Sequence, residues 1–121
     1  MAQNNDQLAY IKLKEWLEDE ILAGSFSENT QIPSVADLSV SFKLNHITVL
    51  KSINLLADAE ILYKKRGVGM FVAEGAAEKI RTERQSEFYS KYIVSMVSEA
   101  KKLGIPVEEL LKMTERGYEN E

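Results

Sequence analysis

Ser34-Val35-Ala36-Asp37-Leu38-Ser39-Val40-Ser41-Phe42-Lys43-Leu44-Asn45-His46-Ile47-Thr48-Val49 holds two helix starts separated by one short helix and a turn. Ser34 can accept the amide of Asp37 three residues on, and the Asp37 carboxylate suits a first helical turn. Leu38 and Phe42 are four apart and mark the inner face of that helix. Lys43-Leu44-Asn45 reads as a tight turn. Asn45 is a good cap for a further helix from His46 to Ala59. Val49, Ile53 and Leu56 give this helix its buried stripe, and His46, Ile47, Leu50, Lys51 and Asn54 fall on its other face.

Working outward, Leu8 to Ala23 carries Tyr10, Leu13, Leu17 and Ile21 at helical spacing, with Gly24 as its stop and Phe26 placed to fold back on the last turn. Residues 27 to 32 read as a polar loop, and Asn29 suits a turn there. On the other side, Ile61 to Lys65 and Met70 to Val72 are β-prone. Between them Arg66-Gly67-Val68-Gly69 supplies the glycines that a hairpin tip with positive φ requires. From Ala76 to Leu103 the pattern predicts one long helix, with Ile80, Phe88, Tyr92, Ile93, Met96, Val97, Ala100 and Leu103 on its apolar face. Its first turns are nearly all polar, so it is expected to leave the first domain exposed. Gly104 stops it, and a last helix is expected from Pro106 to Arg116, with proline suited to the first turn.

Helix, short helix, turn, helix and hairpin is the order of a winged helix-turn-helix, in which the third helix enters the major groove and the hairpin lies along the backbone or minor groove. The expected fold is therefore mainly α: a winged helix-turn-helix over residues 1–75, then a two-helix dimerisation segment over 76–121.

Composition narrows the function classes. The chain has 121 residues, 45% hydrophobic and 28% charged, which is ordinary globular composition. It has no apolar run long enough to span a bilayer, and Met1 to Gln7 lacks the apolar core of a secretion signal. With no cysteine and one histidine, thiolate and multi-histidine metal sites are excluded, and no cofactor is expected. A reducing cytoplasm suits such a chain. No nucleophile elbow, phosphate loop or Ser-His-Asp set occurs, and Glu108 and Glu109 are neighbours that cannot share a helix face, so an enzyme is not indicated.

The net charge of -4 hides a gradient. Between Pro33 and Ala73, Lys43, Lys51, Lys64, Lys65 and Arg66 outnumber Asp37, Asp58 and Glu60. That middle third is the part able to steer a polyanion: Lys51 falls on the exposed face of the third helix, and Lys64, Lys65 and Arg66 fall at the wing. A solvated hairpin with an incidental Lys-Lys-Arg run is the plainer reading of the same residues.

Residues 10 to 73 resemble the DNA-binding domain of the GntR family of bacterial transcription regulators. Tyr10 through Phe26 is similar to its first-helix run. Ile32-Pro33-Ser34-Val35-Ala36-Asp37-Leu38-Ser39 resembles its L-P-S-x-R-x-L-A signature, Val49 to Leu56 its recognition helix, and Arg66-Gly67-Val68-Gly69-Met70-Phe71-Val72 its G-x-G-T-F-V wing. The resemblance implies duplex DNA as partner, met by Ser34, Asn45, His46, Ile47, Thr48, Leu50, Lys51, Lys64, Lys65, Arg66, Gly67 and Gly69. Several positions depart from the pattern. The family usually has arginine where Ala36, His46 and Leu50 stand, glycine at Glu60 and threonine at Met70. The guanine-reading side chains are thus absent, and the operator does not carry over.

The junction Leu103-Gly104-Ile105-Pro106-Val107-Glu108-Glu109-Leu110 looks like the YtrA subfamily. Its short helical tail builds a homodimer, and its genes often lie beside ABC-transporter operons. The resemblance implies a homodimeric repressor on a palindromic operator, with Phe88, Tyr92, Met96, Leu103, Leu110 and Leu111 at the dimer interface. Phe88, Tyr89, Tyr92 and Met96 could instead line a small-molecule cavity, although a helical aromatic stripe is more often core or interface. The alternative function is a winged-helix protein-interaction module that no longer binds specific DNA.

Overall fold

The structure is a computed structural model that describes residues 2–120. Met1 and Glu121 lie outside the described residues, as do the side chains of residues 2–7. The described chain forms two compact units, one ending at Thr82 and one beginning at Glu83.

The first unit opens with α1 (Ala2–Ala23), which begins earlier than the apolar pattern marks. It is followed by α2 (Val35–Phe42), α3 (His46–Asp58) and an antiparallel pair, β1 (Leu62–Lys65) and β2 (Gly69–Val72). Leu13, Leu17 and Ile21 of α1 are buried with Leu38 of α2 and with Val49, Ile53 and Leu56 of α3. These are the positions that helical periodicity selects, because burying one apolar stripe per helix is what holds a small three-helix unit together. Trp16 packs edge-on against both Phe26 and Phe42, at 5.8 and 4.9 Å between ring centroids. That packing folds the chain after Gly24 back onto α1.

The loop before α2 is more ordered than its polar composition suggests. Asn29, Thr30 and Ile32 exchange backbone hydrogen bonds with Val72 and Met70, so residues 29–32 run along β2 as a third, irregular edge of the wing. This edge carries Ile32 into the core.

The unit also extends past the boundary expected at residue 75. Helix α4 (Ala76–Phe88) buries Ala76 and Ile80 in the first unit's core. Two well-placed apolar side chains suffice to dock its first turns, which corrects the expectation that they leave the domain exposed.

The second unit holds a π-helical turn (Tyr89–Ile93), α5 (Val94–Lys102) and α6 (Val107–Glu119). The π turn interrupts what reads as one regular helix. Phe88, Tyr92, Met96 and Ala100 are each four apart, and on a regular α-helix that spacing drifts by about 40° per step. An underwound turn reduces the drift and keeps these side chains closer to one line. Helix α5 ends with the Ile105 amide bonded to the Ala100 carbonyl at 2.9 Å, a Schellman-type closure. Pro106 sits in extended conformation as the cap of α6, one position before the first turn where it was expected. No helix among the described residues is long and apolar enough to cross a membrane.

Candidate nucleic-acid interface

Two side-chain caps set the helix-turn-helix. The Asp37 amide donates to Ser34 Oγ at 3.0 Å, and the Thr48 amide donates to Asn45 Oδ1 at 2.8 Å. Between them Lys43 takes a left-handed conformation, φ 55° and ψ 47°. The Leu44 amide bonds back to the Ser39 carbonyl, and the Ser39 hydroxyl donates to the Leu44 carbonyl. The turn is thus closed by local bonds, which fixes where α3 begins.

Helix α3 presents His46, Ile47, Leu50, Lys51 and Asn54 to solvent, with Ile47 68% and Leu50 43% exposed. The Lys51 ammonium lies 5.7 Å from the centre of the Tyr10 ring. Thr48 departs from the DNA-facing set expected of it. It is buried, as is Ser52 one turn on, and the Ser52 hydroxyl donates to the Tyr10 carbonyl at 2.6 Å. Both side chains face the unit's interior, so Thr48 is not presented to a groove. Their four-residue spacing is the signal in the sequence that marks this inward face.

In the wing, Lys65 pairs with Gly69 and Tyr63 with Phe71. The Val68 amide closes the tip on the Lys65 carbonyl at 3.0 Å, with Gly67 at φ 76°. Because side chains alternate along a strand, Lys64 and Lys65 face opposite ways. The Lys65 ammonium sits 4.2 Å over the Phe71 ring, a cation–π arrangement. Lys64 instead lines a notch of about 270 Å³ with Ser34, Leu50, Asn54, Val68 and Gly69. The start of α2, the outer face of α3 and the wing therefore converge on one concavity. Arg66 is exposed at the tip.

Gln31 has no distinguishing mark in the sequence beyond its place in a polar loop. Its side-chain amide donates to the Val68 carbonyl at 2.9 Å, tying the wing tip to the strand-like segment before α2. A Cβ on Gly69 would lie 2.5 Å from Gln31 Nε2, and φ there is 147°. A side chain at 69 would therefore be strained and would displace the tie.

The expected dimer residues lie in the second unit. Phe88, Tyr92, Met96, Leu103 and Leu111 are exposed there, and Leu110 is half-buried. The Phe88 and Tyr92 rings are 5.4 Å apart. Helix α6 has no fully buried residue. Between α5 and α6 runs a shallow apolar trough of about 480 Å³, lined by Met96, Leu110, Met113, Thr114, Gly117 and Tyr118.

Residues 9–72 match the model of the bacterial regulatory proteins, gntR family. The histidine utilization repressor of Klebsiella aerogenes is 31% identical over 77 residues, 64% of this chain and 32% of that protein. The chain thus spans about a third of the length of that curated relative. A solved structure of a protein assigned to the GntR family, from Bacteroides thetaiotaomicron, superimposes with a TM-score of 0.73 at 33% identity. It covers 92% of this chain and 96% of that one. The DNA-binding domain of AraR, solved in complex with operator ORE1, matches with a TM-score of 0.53 at 31% identity over 54% of this chain and 79% of that one.

Proposed function

This chain belongs to the gntR family of bacterial regulatory proteins, and from that premise we propose that it is a sequence-specific DNA-binding transcription regulator, a homodimeric repressor acting on a palindromic operator. In this reading the α3 face bearing His46, Ile47, Leu50 and Lys51 enters the major groove. Lys64 on the notch side of the wing and Arg66 at its tip meet phosphates, Lys65 adds charge from the wing's opposite face, and the start of α2 at Ser34 offers amides to the backbone. Asn45 has its side-chain oxygen committed to the cap and contributes by setting the start of α3. Gly67, open to solvent at the tip, lets the wing backbone come close to the duplex, and Gly69 serves by leaving room for the Gln31 tie.

The observation that carries the reading is the convergence of Ser34, Leu50 and Lys64 on one concavity, with Lys51, Lys65 and Arg66 exposed on the same helix and wing. The operator-bound AraR domain and the Klebsiella repressor support duplex DNA as the partner and repression as the outcome. The exposed apolar residues of α5 and α6 support a dimer that would bring two winged helices to two half-sites. A YtrA-like tail with a transporter operon as target, and a cytoplasmic location, complete the proposal.

The test is a titration of the intact protein against the region upstream of its own gene and against a scrambled duplex. Preference for the upstream region is expected. Equal or absent binding would favour the second reading, a protein-interaction module, for which the exposed Ile47 and Leu50 are the specific observation.

A further inference from the structure

The outer face of α3 is unusual for a surface that meets a polyanion. It exposes two bulky aliphatic side chains, Ile47 at 68% and Leu50 at 43%, between the polar groups of His46, Lys51 and Asn54. They lie one helical turn apart, so they present a single apolar strip along the helix. Exposed aliphatic area of this kind gains nothing in water and requires an apolar counterpart to become favourable. The flanking cations, Lys51 on α3 and Lys64 across the notch from Leu50, favour a negatively charged occupant.

Duplex DNA offers both features together at one place. In the major groove the 5-methyl of thymine is the apolar feature of the base edges, and phosphates flank it on both sides. No arginine occurs between Pro33 and Lys65, and Lys51, the lysine of this face, has its ammonium 5.7 Å from the centre of the Tyr10 ring on α1. Arginine's reading of guanine is therefore closed to α2 and α3, and the apolar strip is left to face the base edges. We propose that Ile47 and Leu50 read thymine methyl groups, making this regulator selective for A·T pairs at the positions facing α3, with Lys51 and Lys64 supplying charge to the flanking phosphates.

This inference rests on the proposed DNA-binding function, and its experiment separates the two. Sites are selected from a random duplex pool with the intact protein. Each thymine in the selected half-site is then replaced by deoxyuridine, which removes the methyl and keeps the base pair. The expected result is enrichment of thymine at the positions facing α3. Removing each methyl that α3 touches should weaken binding about threefold to fourfold, the effect of one buried methylene-sized group. Ile47→Ala and Leu50→Ala, both at exposed positions, should each abolish the deoxyuridine penalty at one position while leaving the others intact. Specific binding with no deoxyuridine penalty, or a penalty indifferent to both substitutions, would overturn the thymine reading and leave DNA binding standing. No selection of any duplex, even at low salt, would overturn both and assign the apolar strip to a protein surface.

Discussion

Gln31 and Val68 are joined by a side-chain amide donating to a backbone carbonyl over 2.9 Å, across the gap between the segment preceding α2 and the tip of the wing. The wing is a two-stranded hairpin, and such a hairpin is marginal on its own. Backbone bonds from residues 29–32 support β2, and the Gln31 side chain adds a tie at the tip. Gln31→Ala should weaken binding to every duplex about fivefold, the worth of one ordinary hydrogen bond, without altering sequence preference. Amide exchange at residues 67–69 should quicken. Unchanged exchange in the variant would show that the tie does not hold the tip.

Asn45 separates folding from binding. Asn45→Ala removes the cap accepted from the Thr48 amide and should cost about 1 kcal/mol of stability. Asn45→Asp keeps the cap and should leave stability within a few tenths of that of the parent. It places a carboxylate at the start of α3, however, and should weaken binding to operator and scrambled DNA alike. Urea denaturation read beside a DNA titration distinguishes the two effects. An aspartate variant that binds as tightly as the parent would place the start of α3 away from phosphates.

The helix-turn-helix is legible in the sequence because its determinants are local. Ser34 and Asn45 cap within three residues of themselves, and Leu38, Val49, Ile53 and Leu56 announce their burial by spacing. The candidate site is legible to the extent that α3 and the wing can be assigned faces. What stays hidden depends on tertiary approach. The Thr48 hydroxyl looks available in the sequence, but its side chain is buried in the fold, and the Gln31 tie exists only because the hairpin brings Val68 alongside. Lys64 and Lys65, adjacent in a basic run, part company once strand alternation is imposed, one lining the notch and the other over Phe71. The π turn at Tyr89–Ile93 leaves no signal in the composition of the segment, which reads as one regular helix.

Glu60 occupies a left-handed conformation, φ 61°, between α3 and β1. Lys79 donates to its carbonyl at 3.2 Å and approaches its carboxylate at 3.6 Å. A residue with a Cβ is disfavoured there by about 1 kcal/mol. Glu60→Gly should therefore be more stable than Glu60→Ala by about that amount, as measured by urea denaturation of the two variants. Equal stabilities would mean that the strain is relieved elsewhere.

The second unit should self-associate. Leu103, Val107 and Leu111 are each at least 60% exposed, and the trough between α5 and α6 is apolar. A monomer would leave this surface in water. Sedimentation at micromolar concentration should show a dimer for the parent chain and a monomer for Leu111→Glu. A monomeric parent would remove the basis for a two-half-site operator.

Joint binding of duplex DNA by α3 and the wing is probed most sharply by a salt titration of the parent against the triple variant Lys64→Ala, Lys65→Ala, Arg66→Ala. Both are titrated with upstream and scrambled duplex at several salt concentrations. The variant should bind both duplexes more weakly, with a log–log salt slope shallower by about one unit for each phosphate that a subunit no longer neutralises. An unchanged affinity and slope in the variant would show that the wing does not meet DNA.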